Sequence, residues 1–282
     1  MNSLDISVTE VLESYKTYLE VKYPSHLEEL KKREKGNLNG ARFEAAMFSM
    51  ARSYNLNPKI SEIIGEGGVD FLCNFNSSSF ILEVIHLNTE SIEKQTGISN
   101  KPVSGEGGSF SMITHVLRRK AGNKAGQVAN YNMPRMLCIG SSHVASTILL
   151  GKQAAEWLLT SETKFSVPVG VPNAKSQLIT NLDNSVFFRF NEKGLMEPCR
   201  QSISAILLAV LDSDSCLLLG VLHPQPSHFF DISCLPDVPF VQVANWPCLN
   251  GQIMTEWVIH NPSTKRVPLD RIEIETAELK TL

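Results

Sequence analysis

At 282 residues and 43% apolar content the chain can bury a substantial core, as one large domain or two small ones, and it is not a disordered sequence. Its 26 basic residues against 29 acidic ones create no overall field that would draw in a polyanion, so any nucleic acid must be met by a local patch. No stretch reaches the roughly 20 apolar residues that span a bilayer, and the first residues lack a basic segment followed by an apolar run, which points to the cytoplasm and away from a membrane. Six cysteines (Cys73, Cys138, Cys199, Cys216, Cys234, Cys248) stand singly, without C-x-x-C spacing, and read as buried thiols of a reducing compartment.

In chain order, residues from about 5 to 36 read as helical: Val8, Val11, Leu12, Tyr15 and Leu19 recur at spacings of three and four, and Pro24 opens a second helix. The mixed charges from Glu28 to Lys35 suit a solvated face, with a phosphate-touching arm at Lys31, Lys32 and Arg33 as the alternative. A third helix is predicted over about 41–54. At about 100° per residue, Glu44 falls in the middle of its apolar stripe beside Met47, Phe48 and Ala51, and an inward carboxylate is costly without a partner. Residues 60–64 read as a strand. Gly65, Gly67 and Gly68 then suit a bend more than a phosphate cradle, because they lead into a strand and not a helix.

Residues 67–87 form the centre of the argument. Two apolar, β-branched and aromatic runs flank the polar Asn-Ser-Ser-Ser, which predicts a β-hairpin with Asp70 in one strand and Glu83 in the other. With a two-residue turn Phe75 faces Ser78 and Asp70 stands opposite Glu83. With a four-residue turn Asp70 faces Ile85 and Glu83 is its diagonal neighbour. Either way the acids share a face, about 4.5–5.5 Å apart at Cβ when directly opposite, and repel unless a cation or a proton lies between them. That is the geometry of a divalent-metal site.

Residues 88–109 read as a long polar loop overhanging the acids. A helix follows over about 111–131, with Ile113, Val116, Leu117, Val128 and Tyr131 as its stripe. Lys120, Lys124 and Gln127 fall inside that stripe, and inward lysines call for carboxylates, which the hairpin supplies. A buried strand is expected at 136–140, a helix at 148–159, and strand-like runs at 186–190, 203–211, 216–222 and 252–259, with a turn at 212–215. His143, His223, His228 and His260 lack ligand spacing and read as structural.

Gly68-Val69-Asp70 followed by Leu82-Glu83-Val84-Ile85 resembles the PD-(D/E)XK nuclease superfamily, and the order of elements over about 40–141 is similar to its core. The resemblance implies an α/β fold with a restriction-endonuclease-like mixed central sheet flanked by helices. Here that core spans 39–165, preceded by a helical segment at 1–38 and followed by a β-rich extension at 166–282. It also implies Mg²⁺ or Mn²⁺ held by Asp70, Glu83 and the Val84 carbonyl, with Glu44 as a further acid from the first core helix. The superfamily's lysine two positions after the Glu is replaced by Ile85; Lys124 with Gln127 matches a variant in which this role has moved to the following helix, and Lys120 becomes a substrate contact. The implied activity is hydrolysis of nucleic-acid phosphodiesters, DNA before RNA, in a setting such as prokaryotic defence, alone or within a homo-oligomer or larger assembly. The alternative is a nucleic-acid-binding or assembly subunit that has lost catalysis on the same fold.

Overall fold

The structure is a computed structural model that describes residues 4–5, 7–65, 68–76, 78–101, 111–161, 164–166, 177–179, 181–212, 215–248 and 252–260. In chain order it contains β1 (Leu4–Asp5), α1 (Val8–Lys22), α2 (Pro24–Gly36), α3 (Leu38–Ser53), β2 (Lys59–Ile60), β3 (Phe71–Phe75), β4 (Ser78–His86), α4 (Thr89–Thr96), α5 (Ser111–Val128) and β5 (Arg135–Ser141). There follow α6 (Ser146–Leu149), α7 (Lys152–Thr160), β6 (Lys164–Ser166), β7 (Gln177–Ile179), β8 (Phe188–Phe190), β9 (Met196–Pro198), β10 (Ala205–Leu211), β11 (Ser215–Leu222), β12 (Pro239–Val243) and β13 (Thr255–Ile259).

One mixed sheet organises these elements, in the order β13-β12-β11-β10-β5-β4-β3-β2, with β1 paired to β11. The centre is parallel: β4 pairs with β5, and β5 with β10. All seven residues of β5 are buried, as expected of a strand covered on both faces. Helices α1 to α3 cover one face through Tyr15, Phe43, Met47 and Phe48, which pack on Phe71, Leu82 and Cys138. Helices α5 and α7 cover the other through Ile113, Leu117, Ala154 and Leu158, which pack on Ile81, Ile85 and Ile139. The protein is thus mixed α/β, a large sheet flanked by helices. The strands from Ala205 onward continue that sheet, because β10 lies directly beside β5.

Several expectations need correction. The first helix starts at Val8, since Leu4 and Asp5 pair with Cys216 and Ser215 at the sheet. Helix α3 starts three residues early because the Asn37 side chain accepts from Gly40 N at 2.9 Å and caps it. The strand expected at 60–64 is only the pair Lys59–Ile60. The polar stretch after Leu87 is not simply a loop: Asn88 caps α4 through Glu90 N, and Gly97, at φ 73°, ends it. Residues 102–110, the part of that loop expected to overhang the acids, lie outside the described residues, as do two positions of the turn at 212–215. The helix expected at 148–159 is broken at Gly151 into α6 and α7. Phe188–Phe190 pairs with β9 in a separate two-stranded sheet.

One glycine sets how closely α3 approaches the sheet. A Cβ on Gly140 would stand 2.3 Å from both the Phe43 ring and the Ala209 carbonyl, so only glycine lets that ring lie on β5. Glu44, the next residue, lies beside Asp70, Val84 and His86 on that face of the sheet.

Candidate functional site

The hairpin adopts the two-residue register: Phe75 pairs with Ser78 and Phe71 with Leu82, so Asp70 comes opposite Glu83. Asn76 takes φ 51° in the turn. Strand β3 begins only at Phe71, whereas β4 runs on to His86. The longer strand therefore has one uncovered edge beyond Leu82. Ile81 N and Leu87 N donate to Pro134 and Gly140 carbonyls, so the odd-numbered residues of β4 address β5 and the even-numbered ones address β3. The N–H and C=O of Val84 consequently face a notch where the partner strand has ended.

Asp70 fills that notch. Its carboxylate accepts from Val84 N at 2.6 Å, while its own N–H donates to Glu83 Oε2 at 3.3 Å, so each acid is held by the other's strand. The Lys124 ammonium reaches Glu83 Oε1 from α5 and also donates to Gln127 Oε1 at 2.9 Å. The Gln127 amide in turn donates to the Gly68 carbonyl, two residues before Asp70, which closes a ring of contacts from helix to bend. Gly65 and Gly68 take φ 86° and 139°, the backbone freedom that this bend uses.

Both carboxyls hold their protons more tightly than usual. For Asp70 the main cause is burial, followed by the Glu83 charge, with the Val84 N–H opposing. For Glu83 burial again raises the value, and the hydrogen bond and charge of Lys124 partly offset it. The Glu83 side chain is 3% exposed and that of Lys124 33%, so the pair bridges interior and solvent.

The sheet separates the remaining residues. Glu83 and Ile85 point to the α5 side, where Ile85 is buried among the apolar residues of α5 and β5. A lysine at position 85 would therefore share Glu83's face, the face from which Lys124 approaches. On the α3 side a cleft of about 390 Å³ is lined by Arg33, Asn37, Glu44, Asp70, Val84 and His86. Glu44 does point inward, and its carboxylate is committed to Arg33 at 2.7 Å and to the Tyr15 hydroxyl at 3.0 Å. Burial and then the Glu44 charge push the Tyr15 hydroxyl well above its usual value. Arg33 thus serves Glu44 and is not a free phosphate arm, while Lys31 and Lys32 pair with Glu28 and Glu29 on the solvated face.

Lys124, not Lys120, meets Glu83; Lys120 is half-buried one turn earlier, and Gln127 is exposed at the rim where inward burial was expected. His86, a residue outside the motifs of the sequence, also lines this cleft. It follows Val84 at a spacing of two and so shares its face, a signal that strand parity alone supplies. Its ring lies 5.6 Å from that of Phe43, both ring nitrogens are buried without a hydrogen bond, and burial pushes its pKa down to about 4.

Among the described residues no three His, Cys, Asp or Glu side chains converge as a metal cage. Asp70 and Glu83 meet at the notch through backbone N–H groups, but the Asp70 carboxyl lines the α3-side cleft while Glu83 turns to Lys124 on the α5 side, so the shared face expected from the register is not kept, because the chain bends before β3 begins. No helix among the described residues is long and apolar enough to cross a membrane. All six cysteines are free thiols; Cys199 and Cys248 are half-buried and the other four buried. His223 accepts from Gln225 N and bonds the Cys199 carbonyl at 2.9 Å, and His143 accepts from Ala145 N. Comparison of the chain with protein-family models, with curated proteins and with solved structures finds no match.

Proposed function

We propose that the protein is a Mg²⁺- or Mn²⁺-dependent nuclease with a restriction-endonuclease-like core, hydrolysing phosphodiesters of DNA before RNA at the Asp70–Glu83 notch. The observation that carries this reading is the reciprocal bonding of the two acids, Val84 N to Asp70 and Asp70 N to Glu83, at a point where β3 stops and the Val84 carbonyl is left facing them. Hard oxygen donors of this kind suit Mg²⁺ or Mn²⁺, and burial, with the Glu83 charge added at Asp70, disfavours the carboxylate forms in a way that a divalent cation relieves. Asp70, Glu83 and the Val84 carbonyl would hold the ion, which when bound supplies charge neutralisation and a lowered water pKa.

The chain's own residues do the rest. Lys124 moves from Glu83 to a non-bridging phosphate oxygen and stabilises charge that develops in the transition state. Gln127, tied to the Gly68 carbonyl, fixes the lysine's stem and orients water or phosphate. Glu44 acts through Arg33 and Tyr15, holding the α3 wall of the cleft beside Asp70.

One observation favours a second reading, a non-catalytic nucleic-acid-binding or assembly subunit. Lys124 already pairs with Glu83 and Val84 N already binds Asp70, so each acid has a partner without a metal. Plasmid, single-stranded DNA and RNA incubated with the protein in Mg²⁺, Mn²⁺ or EDTA distinguish the two. The nuclease reading predicts cleavage that EDTA abolishes. Binding with no cleavage in Mn²⁺ assigns the second role.

A further inference from the structure

Across α5 from Lys124 lies a second concentration of positive charge. Arg118 and Gly122 are one turn apart and share a face of the helix. The Arg200 guanidinium lies against that face, with Nε and an Nη 3.4 and 3.5 Å from where a Gly122 Cβ would be, so the absence of a side chain leaves room for it to lie flat on the helix. Arg200 is held there by donating to the Val186 carbonyl at 2.7 Å and to Cys199 Sγ at 3.3 Å. Its backbone takes φ 58°, a left-handed conformation that a non-glycine residue rarely adopts.

Among the described residues no carboxylate pairs with Arg118 or Arg200, and the Arg118 Nε is buried without a hydrogen bond. Arg189 adds a third guanidinium within Coulombic range, with Glu197 as its partner at 2.7 Å. Burial first, and then the like charges of Arg118 and Arg189, lower the Arg200 pKa. Like charges brought this close repel, and with no carboxylate on Arg118 or Arg200 an anion bound between them relieves that repulsion.

We propose that Arg118 and Arg200, assisted by Arg189, bind a backbone phosphate of a single polynucleotide strand that crosses α5 on its way to Lys124. The planar guanidinium fork matches phosphate oxygens in a bidentate manner. Arg118 and Lys124 are six residues apart, about 9 Å along the helix and about 120° around it, so one strand reaches both by crossing the helix's solvent-facing side obliquely. The proposal also supplies the local basic patch that an otherwise acidic chain needs to hold a polyanion. It rests on the nuclease reading for the direction of the strand but not for the binding itself.

The test is fluorescence anisotropy of labelled single-stranded DNA and RNA oligonucleotides in EDTA, where no cleavage occurs, over a series of salt concentrations. Arg118→Gln removes a group whose Nε makes no bond and so leaves the fold intact; Arg200→Gln and the lysine replacements Arg118→Lys and Arg200→Lys accompany it, with circular dichroism to check folding. Wild type is expected to bind. Arg118→Gln should weaken binding by about tenfold and reduce the slope of log K against log salt by about 0.7, the value for one phosphate on a single strand. Arg118→Lys should keep most of the slope. Unchanged affinity and slope in Arg118→Gln, or no oligonucleotide binding by wild type, overturns the proposal. Equal competition by poly-glutamate of matched length also overturns it and reassigns the surface to an acidic protein. Binding as expected but without metal-dependent cleavage leaves this proposal standing and removes the nuclease reading.

Discussion

Lys124→Met isolates the contact on which the site depends. The substitution keeps the stem and removes the ammonium, leaving Glu83 with a side chain 3% exposed and only the Asp70 N–H as partner. Removing one member of a fully buried pair costs roughly 3–5 kcal/mol. Here Lys124 keeps a third of its side chain in solvent, so water screens the pair and about 1–3 kcal/mol remains. Glu83 already has a raised pKa, and losing Lys124 raises it further. A folded-state carboxyl above its unfolded value stabilises the protein below its unfolded pKa of about 4.3, and that stability is lost as pH rises through the folded value. Urea denaturation in EDTA should therefore show Lys124→Met less stable than wild type at pH 8 and nearly equal to it at pH 4.5. Adding Glu83→Gln should recover about 1–3 kcal/mol at pH 8, since an amide needs no cation there. Equal stability of Lys124→Met and wild type at pH 8, or strictly additive effects in the double variant, would refute the buried pair.

Other outcomes follow from the same geometry. Asp70→Asn keeps an oxygen for Val84 N but removes the like charge beside Glu83, so in EDTA at pH 8 its melting temperature should exceed that of wild type, with the gap closing towards pH 4; a lower melting temperature at pH 8 contradicts the upward shift. Gly140→Ala should destabilise by at least about 1–3 kcal/mol, because its methyl meets the Phe43 ring and the Ala209 carbonyl, and a neutral result in urea denaturation would refute that close approach. Ile85→Lys inserts a charge at a buried position and should lose stability, whereas Ile85→Lys with Lys124→Met returns one lysine to Glu83's face and should regain part of it; failure of the second change to help would mean position 85 is sealed from Glu83. His223 is neutral when folded, its pKa pushed down to about 4, so its contribution is intact above pH 6.5 and falls by up to about 3 kcal/mol as pH drops towards 4. His223→Gln should flatten that limb of the stability profile, and an unchanged limb would assign the loss elsewhere.

What the sequence made legible was local. The hairpin and the nearness of Asp70 to Glu83 follow from an even-length turn, though not which of its two registers forms, and the inward aim of Glu44 and Lys124 follows from angular position on a helix. Asn88 and Gly97 also carried a cap and a stop for α4, but the polar composition between them disguised the helix. The rest depends on contacts distant in sequence. That β10 lies beside β5 is settled by long-range pairing, and no periodicity in either strand encodes it. The notch exists because β3 and β4 differ in where they stop, which neither strand reveals alone. Arg200 meets Gly122 across 78 positions, and a glycine in a helix gave no hint that a guanidinium would occupy its face.

The central claim is that Asp70 and Glu83 form one metal-dependent hydrolytic site, and single-turnover cleavage by wild type, Asp70→Asn and Glu83→Gln tests it most directly. With a labelled oligonucleotide in Mn²⁺, the account predicts cleavage by wild type that EDTA stops, and rates lowered by orders of magnitude in both variants while circular dichroism shows them folded. Cleavage by either variant at the wild-type rate, or by wild type in EDTA, would contradict it.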